Sequence, residues 1–311
     1  VAHESYQHRP VLLNEALDTL AIQSDGIYID ATFGRGGHSQ AILERLSPKG
    51  RLLAIDQDES AEVCAKELFA NEPRFTFTRC RFDEIRKVCE ANDCMHRVNG
   101  VLFDLGVSSP QLDDPARGFS FMRDGPLDMR MDRRQELDAK TWLEQVEERE
   151  LASVIKTFGE ERFAKRIANA IVKRRKEAPL ETTGNLARLI EQTVPKRELH
   201  KHPATRTFQA IRMFINDELA VLEKALQEAF DVLSSHGRLV VISFHSLEDR
   251  LVKQFMKKLS NLHALPARLP VKRDKAELSF KVVAKKIRAT RYECDTNPRA
   301  RSAILRGGEK L

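Results

Sequence analysis

The chain has 311 residues, 41% of them hydrophobic, and a formal net charge of +6 at pH 7. That length buries a sizeable core and exceeds the usual single domain, so two domains or one domain with an insertion are expected. No run approaches the eighteen or so apolar residues of a membrane span, and VAHESYQHRPVLLNEAL lacks the apolar core of a secretory signal, so a soluble, cytoplasmic protein is expected.

The five cysteines (Cys64, Cys80, Cys89, Cys94, Cys294) form no CxxC pair, which suits reduced thiols better than a zinc or disulfide framework. No metal-ligand set accompanies His200 and His202, and no metal is expected. From Arg250 onward there are 17 Lys+Arg against 5 Asp+Glu, a balance of +12, while the rest of the chain is at −6. A localised positive face is what a polyanionic partner requires, although a solvated lysine-rich surface has the same composition.

In chain order, GIYIDATF (26–33) reads as a strand and 38–46 as a helix. RLLAID (51–56) is a second strand and 60–69 a helix; FTFTRC (75–80) is a third strand, with a helix at 85–89 before GVLFDL (100–105). Strands alternating with helices of this length predict a parallel, doubly wound α/β sheet. Residues 138–192 then show helical periodicity without strands. There Phe163, Ile167, Ala170 and Ile171 form an apolar stripe, and Arg162, Lys165, Arg166, Lys173 and Lys176 the opposite face.

A helix over 218–233 leads into RLVVISF (238–244), and SLEDRLVKQFMKKL into another helix, with Ser246 and Asp249 as a capping box. KVVAKKIR (281–288) and RSAILR (301–306) are the last strands, expected as a hairpin at the sheet edge. The sheet domain is thus read as 1–112 plus 203–311, and 113–202 as an all-helical insertion.

In IDATFGRGGHS, Asp30 ends the first strand, and Gly34, Gly36 and Gly37 open a helix where backbone can approach a ligand. Asp56 ends the second strand twenty residues after Gly36, where an acid can take both hydroxyls of a ribose. The pair implies an adenosine-containing cofactor. Spacing alone leaves a dinucleotide and S-adenosylmethionine open. The incomplete G-x-G-x-x-G, and an acid suited to a methionyl ammonium rather than a pyrophosphate, favour S-adenosylmethionine.

YIDATFGRGGHS, LLAIDQD, FDLGVSSPQLDDPARGFSFMRDGPLDMRMD, GEERFAKRIANAIVKRR, HPATRTFQAIRMFINDEL, GRLVVISFHSLEDR and NPRARSAILR stand in this order along nearly the whole chain. With them the chain resembles the RsmH (MraW) family of bacterial 16S ribosomal RNA cytosine-N4 methyltransferases. The resemblance implies a Rossmann-like methyltransferase sheet whose helical insertion helps to recognise substrate. It also implies S-adenosylmethionine as cofactor and 16S rRNA, naked or in the assembled small subunit, as partner. The implied cofactor contacts are Gly36, Gly37, His38, Asp56 on the ribose, Phe82 beside the adenine, Asp104 and Gln111. The chain departs from the family at Ser235-His236-Gly237, where a Pro-Gly-Gly type turn is common; the change concerns turn geometry and no site residue. Monomer and homodimer both remain open.

Methylating a cytosine amine requires acceptors for the amine protons and alignment of nitrogen with the methyl group. Ser108, Ser109 and backbone carbonyls near Pro110 are candidates, and His245 is a candidate base contact or proton relay with an equally good reading as a loop-shaping residue. No cysteine follows a proline, which argues against C5 methylation through a thiolate. Phe119 and Phe121 could stack on a base or anchor a loop. Arg117, Arg123 and Arg130 could meet phosphate, but the acids around them make internal pairing the better expectation.

Overall fold

The computed structural model describes residues 10–195, 202–260 and 279–311. The chain divides into two compact units, Val1–Gly106 with Leu219–Leu311, and Val107–Glu218. The first unit begins with α1 (Leu13–Leu20), β1 (Ile27–Asp30), α2 (Gly37–Leu43), β2 (Arg51–Asp56), α3 (Glu59–Leu68), β3 (Phe75–Arg79), α4 (Ile85–Ala91) and β4 (Val98–Asp104). The second contains α5 (Ser109–Asp113), α6 (Ala139–Gln145), α7 (Glu148–Gly159), α8 (Ala164–Glu177), α9 (Thr183–Thr193) and α10 (Thr205–Ile215). The first then resumes with α11 (Glu218–Val232), β5 (Leu233–Ser243), α12 (Ser246–Ser260), β6 (Phe280–Arg288), α13 (Arg291–Thr296) and β7 (Ile304–Lys310).

The seven strands form one sheet in the order β3-β2-β1-β4-β5-β7-β6. The first five are parallel, and β7 runs antiparallel to both β5 and β6. The expected edge pair is therefore present, with α13 in the connection between its strands. Successive strand residues point to opposite faces, and the core follows that alternation. Leu53, Val101 and Val241 join a cluster with Leu222, Leu226, Val252 and Met256 from α11 and α12. Their neighbours Leu52, Leu102 and Val240 join the cluster formed with Leu17 and Leu20 of α1 and Ile42 of α2. All five cysteines are free thiols.

The first unit is fastened at two further points. Lys310 donates from Nζ to the carbonyls of Phe230 (2.9 Å) and Leu233 (2.8 Å), where α11 gives way to β5. A cation is favourable at a helix C-terminus, where carbonyls lack intrahelical partners. Arg306 donates from Nε and Nη2, one edge of its guanidinium, to the two carboxylate oxygens of Asp249 of α12, at 2.7 and 3.0 Å. Asp249 thus serves that ion pair, and the box expected from Ser246 and Asp249 lies one residue earlier. His245 Nδ1 faces the Glu248 amide at 3.4 Å, and Glu248 Oε2 accepts from the amides of Phe244 (3.0 Å) and His245 (3.4 Å).

In the helical unit, α8 buries Ala164, Ile167, Ala168 and Ile171, while Ala170 is half-buried, so the stripe lies slightly to one side of the expected one. Phe119 is buried, and Phe121 packs on His202 and Phe208 with centroids 4.5 and 4.9 Å away, so both anchor their loop. Arg130 makes a two-pronged pair with Asp128 (2.8 and 2.9 Å), and the buried Arg117 donates to the carbonyls of Arg130 and Met131. Arg123 donates to the Asp113 carbonyl. Arg130 thus meets one of the acids expected to pair these arginines, whereas the bonds of Arg117 and Arg123 described above go to backbone carbonyls. The unit extends beyond 113–202 because α10 packs on α7 and shares its core: Phe208, Ile211 and Ile215 join Leu151 and Ile155.

Gly118 has φ +72°, and a Cβ there would collide with the carbonyl of Pro126 and lie 2.7 Å from the Asp128 amide. Both obstacles are backbone. Gly118→Ala is expected to destabilise the protein by about 1–3 kcal/mol, read as a lower urea midpoint with unchanged slope. An unchanged midpoint would contradict this loop geometry.

Candidate active site

Three neighbouring parallel strands, β1, β2 and β4, each end in an aspartate: Asp30, Asp56 and Asp104. In open α/β sheets, ligands bind beyond the carboxyl ends of the strands where the winding reverses, and β1 and β4 flank that point here. The glycine loop between β1 and α2 is held by backbone bonds from Phe33 N to Ile55 O (3.0 Å) and Gly36 N to Phe33 O (2.8 Å). Gly36 has φ +75°, and a Cβ there would lie 2.8 Å from the Phe33 ring. That ring is set edge-on or tilted against Phe69, Phe75 and Phe77. A rigid aromatic cluster therefore fixes the loop from below.

The three acids have different partners. Asp30, fully buried, accepts from the Thr32 amide (3.2 Å) and from Ser39 Oγ (2.7 Å). Asp56 accepts from the amides of Gly34 (2.8 Å) and Asp58 (2.9 Å). Asp104 has its amide on Thr32 Oγ1 at 2.6 Å, while its carboxylate Oδ1 is covered from solvent with no hydrogen-bond partner among the described residues. The His38 ring lies beside it, with Nδ1 3.7 Å from Asp104 Oδ2, beyond hydrogen-bond reach.

Burial is the main cause that raises all three carboxyls. Asp30 and Asp56 are each pushed up to about 6. Asp104 is raised well above the usual carboxylate range by burial and by repulsion from Asp30 and Glu248. Asp56 is only half-buried by surface area, so the full weight of burial is best assigned to Asp30.

Phe82 begins a 3-10 turn after β3; its ring is half-buried and meets Phe103 edge-on at 5.7 Å. Gly37 opens α2, and His38 is buried in its first turn. His245, after β5, has Nε2 3.0 Å from Glu248 Oε1 and Nδ1 on the Glu248 amide. Despite that approach the buried Nε2 makes no hydrogen bond among the described residues, and only Nδ1 is tied to the loop. Gln111 and Ser108 lie in the helical unit, where the buried Gln111 accepts the Ser108 amide at 2.8 Å across the first turn of α5. The Ser109 side chain and His200 lie outside the described residues.

Thr32, Ser39 and Glu248 belong to this arrangement and were not singled out from the sequence. Thr32 and Ser39 flank the glycines within a quoted motif, and Glu248 stands three residues after His245, the spacing of one helical turn. The structure also changes the part played by Asp30: both its oxygens brace the loop, and the open acceptor is Asp104.

A half-compensated cluster of carboxylates attracts a cation, and S-adenosylmethionine carries an ammonium and a sulfonium together with a ribose diol and an adenine. The residues present fit it: Asp104 as an open acceptor for positive charge, Asp56 for hydroxyls, Phe82 for an aromatic face and glycine backbone for close approach. Fold and site define a Rossmann-like, S-adenosylmethionine-dependent methyltransferase. The chain belongs to the MraW methylase family, whose model matches residues 5–311.

It is 54% identical over 305 residues to the Ribosomal RNA small subunit methyltransferase H of Thioalkalivibrio sulfidiphilus, covering 98% of this chain and 97% of that one. To the protein of the same name from Pseudoalteromonas atlantica it is 51% identical, covering 98% of each. Among solved structures it is similar to an rRNA methylase from Streptococcus thermophilus at 11% identity and TM-score 0.41, over 96% of this chain and 93% of that one.

Proposed function

We propose that the protein transfers a methyl group to the N4 exocyclic amine of a cytidine in the 16S RNA of the small ribosomal subunit, in the cytoplasm. The observation that carries the reading is the unsatisfied Asp104 carboxylate beside Asp30 and Asp56 at adjacent strand ends, a cradle suited to a cationic methyl donor. The printed name of the two relatives supports the substrate class.

Bound S-adenosylmethionine supplies a methyl group activated by its sulfonium. Asp56, oriented by the amides of Gly34 and Asp58, accepts from the ribose hydroxyls. Asp104 faces the methionyl cation, with His38 beside it. Phe82 lies along the adenine, and the backbone of Gly36 and Gly37 approaches where a side chain would not fit.

The cytosine amine is a weak nucleophile because its lone pair is delocalised into the ring. Acceptors for its protons, at Ser108, Ser109 or a carbonyl near Pro110, direct nitrogen density toward the methyl carbon; positioning and preorganised polarity supply most of the acceleration. His245 positions the loop after β5 through Glu248.

The helical unit recognises the RNA. On α8 the exposed Lys165, Arg166, Lys173 and Lys176 have no ion-pair partner among the described residues, and such unpaired charges suit phosphate contacts.

The test is mass spectrometry of nucleosides from 16S RNA, naked and in assembled subunits, after incubation with the protein and labelled S-adenosylmethionine. Label in N4-methylcytidine is expected; label in another nucleoside, or none on either substrate, would overturn the reading.

A further inference from the structure

One strongly charged surface takes no part in the site above. β6 is the outer strand of the sheet, and its pairing with β7 shifts register twice, between Val282 and Ala284 and between Ala284 and Ile287. A register shift breaks strict alternation, and here it leaves Lys285 and Lys286 both exposed, as Lys281 and Arg288 are along the same strand. The chain turns directly into α13, where Arg291 and Tyr292 are exposed, Tyr292 to 71%.

Lys281 stands opposite Glu309 in the β6–β7 ladder and adds to the lowering of its carboxyl, while Lys285, Lys286, Arg288 and Arg291 have no ion-pair partner among the described residues and Tyr292 has no ring contact there. The nearby acids are Glu293 and Asp295 on α13 and Glu309 on β7. Glu293 is committed to the Leu12 amide at 2.7 Å, Glu309 is paired with Arg238 and His236, and Asp295 is exposed. The Glu293 bond and the Thr290 cap, which accepts the Glu293 amide at 3.1 Å, hold α13 in place, so the ridge is rigidly presented.

We infer that the outer face of β6 and the start of α13 form a docking ridge for the sugar-phosphate backbone of single-stranded RNA, with Tyr292 stacking on an unpaired base. Unpaired cations along an extended line track phosphates, and an exposed aromatic beside them supplies sequence-tolerant stacking. Lysines on an edge strand also prevent edge-to-edge pairing. That role needs charge on the strand alone and leaves Arg291 and Tyr292 without a purpose. The inference rests on an RNA substrate and adds a contact surface away from the reacting groups.

The test compares the full-length chain with the fourfold variant Lys281→Gln, Lys285→Gln, Lys286→Gln, Arg288→Gln and, separately, with Tyr292→Ala. RNA binding is followed by fluorescence anisotropy against a polyuridine oligomer and a 16S RNA transcript across a salt series. The fourfold variant is expected to bind polyuridine roughly 10- to 100-fold more weakly at 0.1 M salt. Its plot of log affinity against log salt should be shallower by about 3, the change for four lost phosphate contacts on a single strand. Tyr292→Ala is expected to cost roughly 10-fold with the salt slope unchanged.

S-adenosylmethionine affinity, read by calorimetry, should match wild type and reports that each variant is folded. If the fourfold variant melts early, Lys285→Gln with Lys286→Gln carries the same comparison at about half the slope change. Unchanged RNA affinity and slope would overturn the ridge, leaving its charges as protection of a sheet edge. Because the readout is binding, the ridge stands or falls separately from the nucleoside analysis, which decides the methylated atom.

Discussion

Asp56→Ala is expected to weaken S-adenosylmethionine binding by on the order of 100-fold or more in calorimetry. A carboxylate accepting two ribose hydroxyls makes two hydrogen bonds to a charged group, each worth about 1.5–3 kcal/mol when one partner is removed. The same substitution strips acceptors from the amides of Gly34 and Asp58, so part of the loss comes from a loosened glycine loop. Asp56→Asn separates the two effects: one acceptor remains for the loop, and binding should fall between wild type and alanine. Wild-type affinity in Asp56→Ala would remove the ribose role, and tight NADH binding without any for S-adenosylmethionine would remove the cofactor class.

Asp104→Asn is expected to move affinity and stability in opposite directions. Burial, Asp30 and Glu248 raise this carboxyl above its ordinary range, so its ionisation is unfavourable in the cofactor-free protein, a cost that asparagine removes. At pH 8 the cofactor-free variant should melt roughly 2–4 °C higher, the shift that about 1 kcal/mol produces in a chain of a few hundred residues. Its S-adenosylmethionine affinity should fall by on the order of 10- to 100-fold, since a buried charge partner for a cation is lost. A variant that melts lower and binds normally would show Asp104 to be structural.

The pH dependence has the same origin. Asp30 and Asp56 release their protons near pH 6 in the folded chain and near the ordinary value of 3.8 in the unfolded one. Between those values the folded state holds more protons, so the contribution of these two carboxyls to cofactor-free stability falls as pH rises through about 4 to 6 and is already lost at neutral pH. Bound cation should reverse part of this, giving a larger stabilisation by S-adenosylmethionine at pH 8 than at pH 5.

The strands of the first half were legible because alternation and turn residues act locally: 26–33, 51–56 and 75–80 each contain the observed strand, and 100–105 overlaps β4, which starts two residues earlier at Val98. The three strand-end acids were legible for the same reason, as an acid after an apolar run beside a glycine turn. Which of them stays open was not, since that depends on Ser39 and Thr32 reaching back across the loop. α1 was legible but went unplaced: Leu13, Ala16, Leu17 and Leu20 recur at the i, i+3, i+4, i+7 spacing of an amphipathic helix, and the helix is stable because Ala16, Leu17 and Leu20 are covered by the sheet. The limits at 112 and 203 missed α5 and α10 because a unit boundary follows tertiary packing, and the insertion starts at Val107, before the polar loop looks like anything but a turn.

The place of β7 bears on how the chain is made. It follows β5 and β6 in synthesis yet lies between them, joined to each by antiparallel bonds. A nascent chain therefore carries an apolar β5 with one bare side, and a β6 with no neighbour at all, until residues beyond Ile304 emerge. Sheet closure is a late, long-range event of the kind that folds slowly and exposes strand edges meanwhile. The lysines that line β6 discourage strand addition at that edge in the meantime.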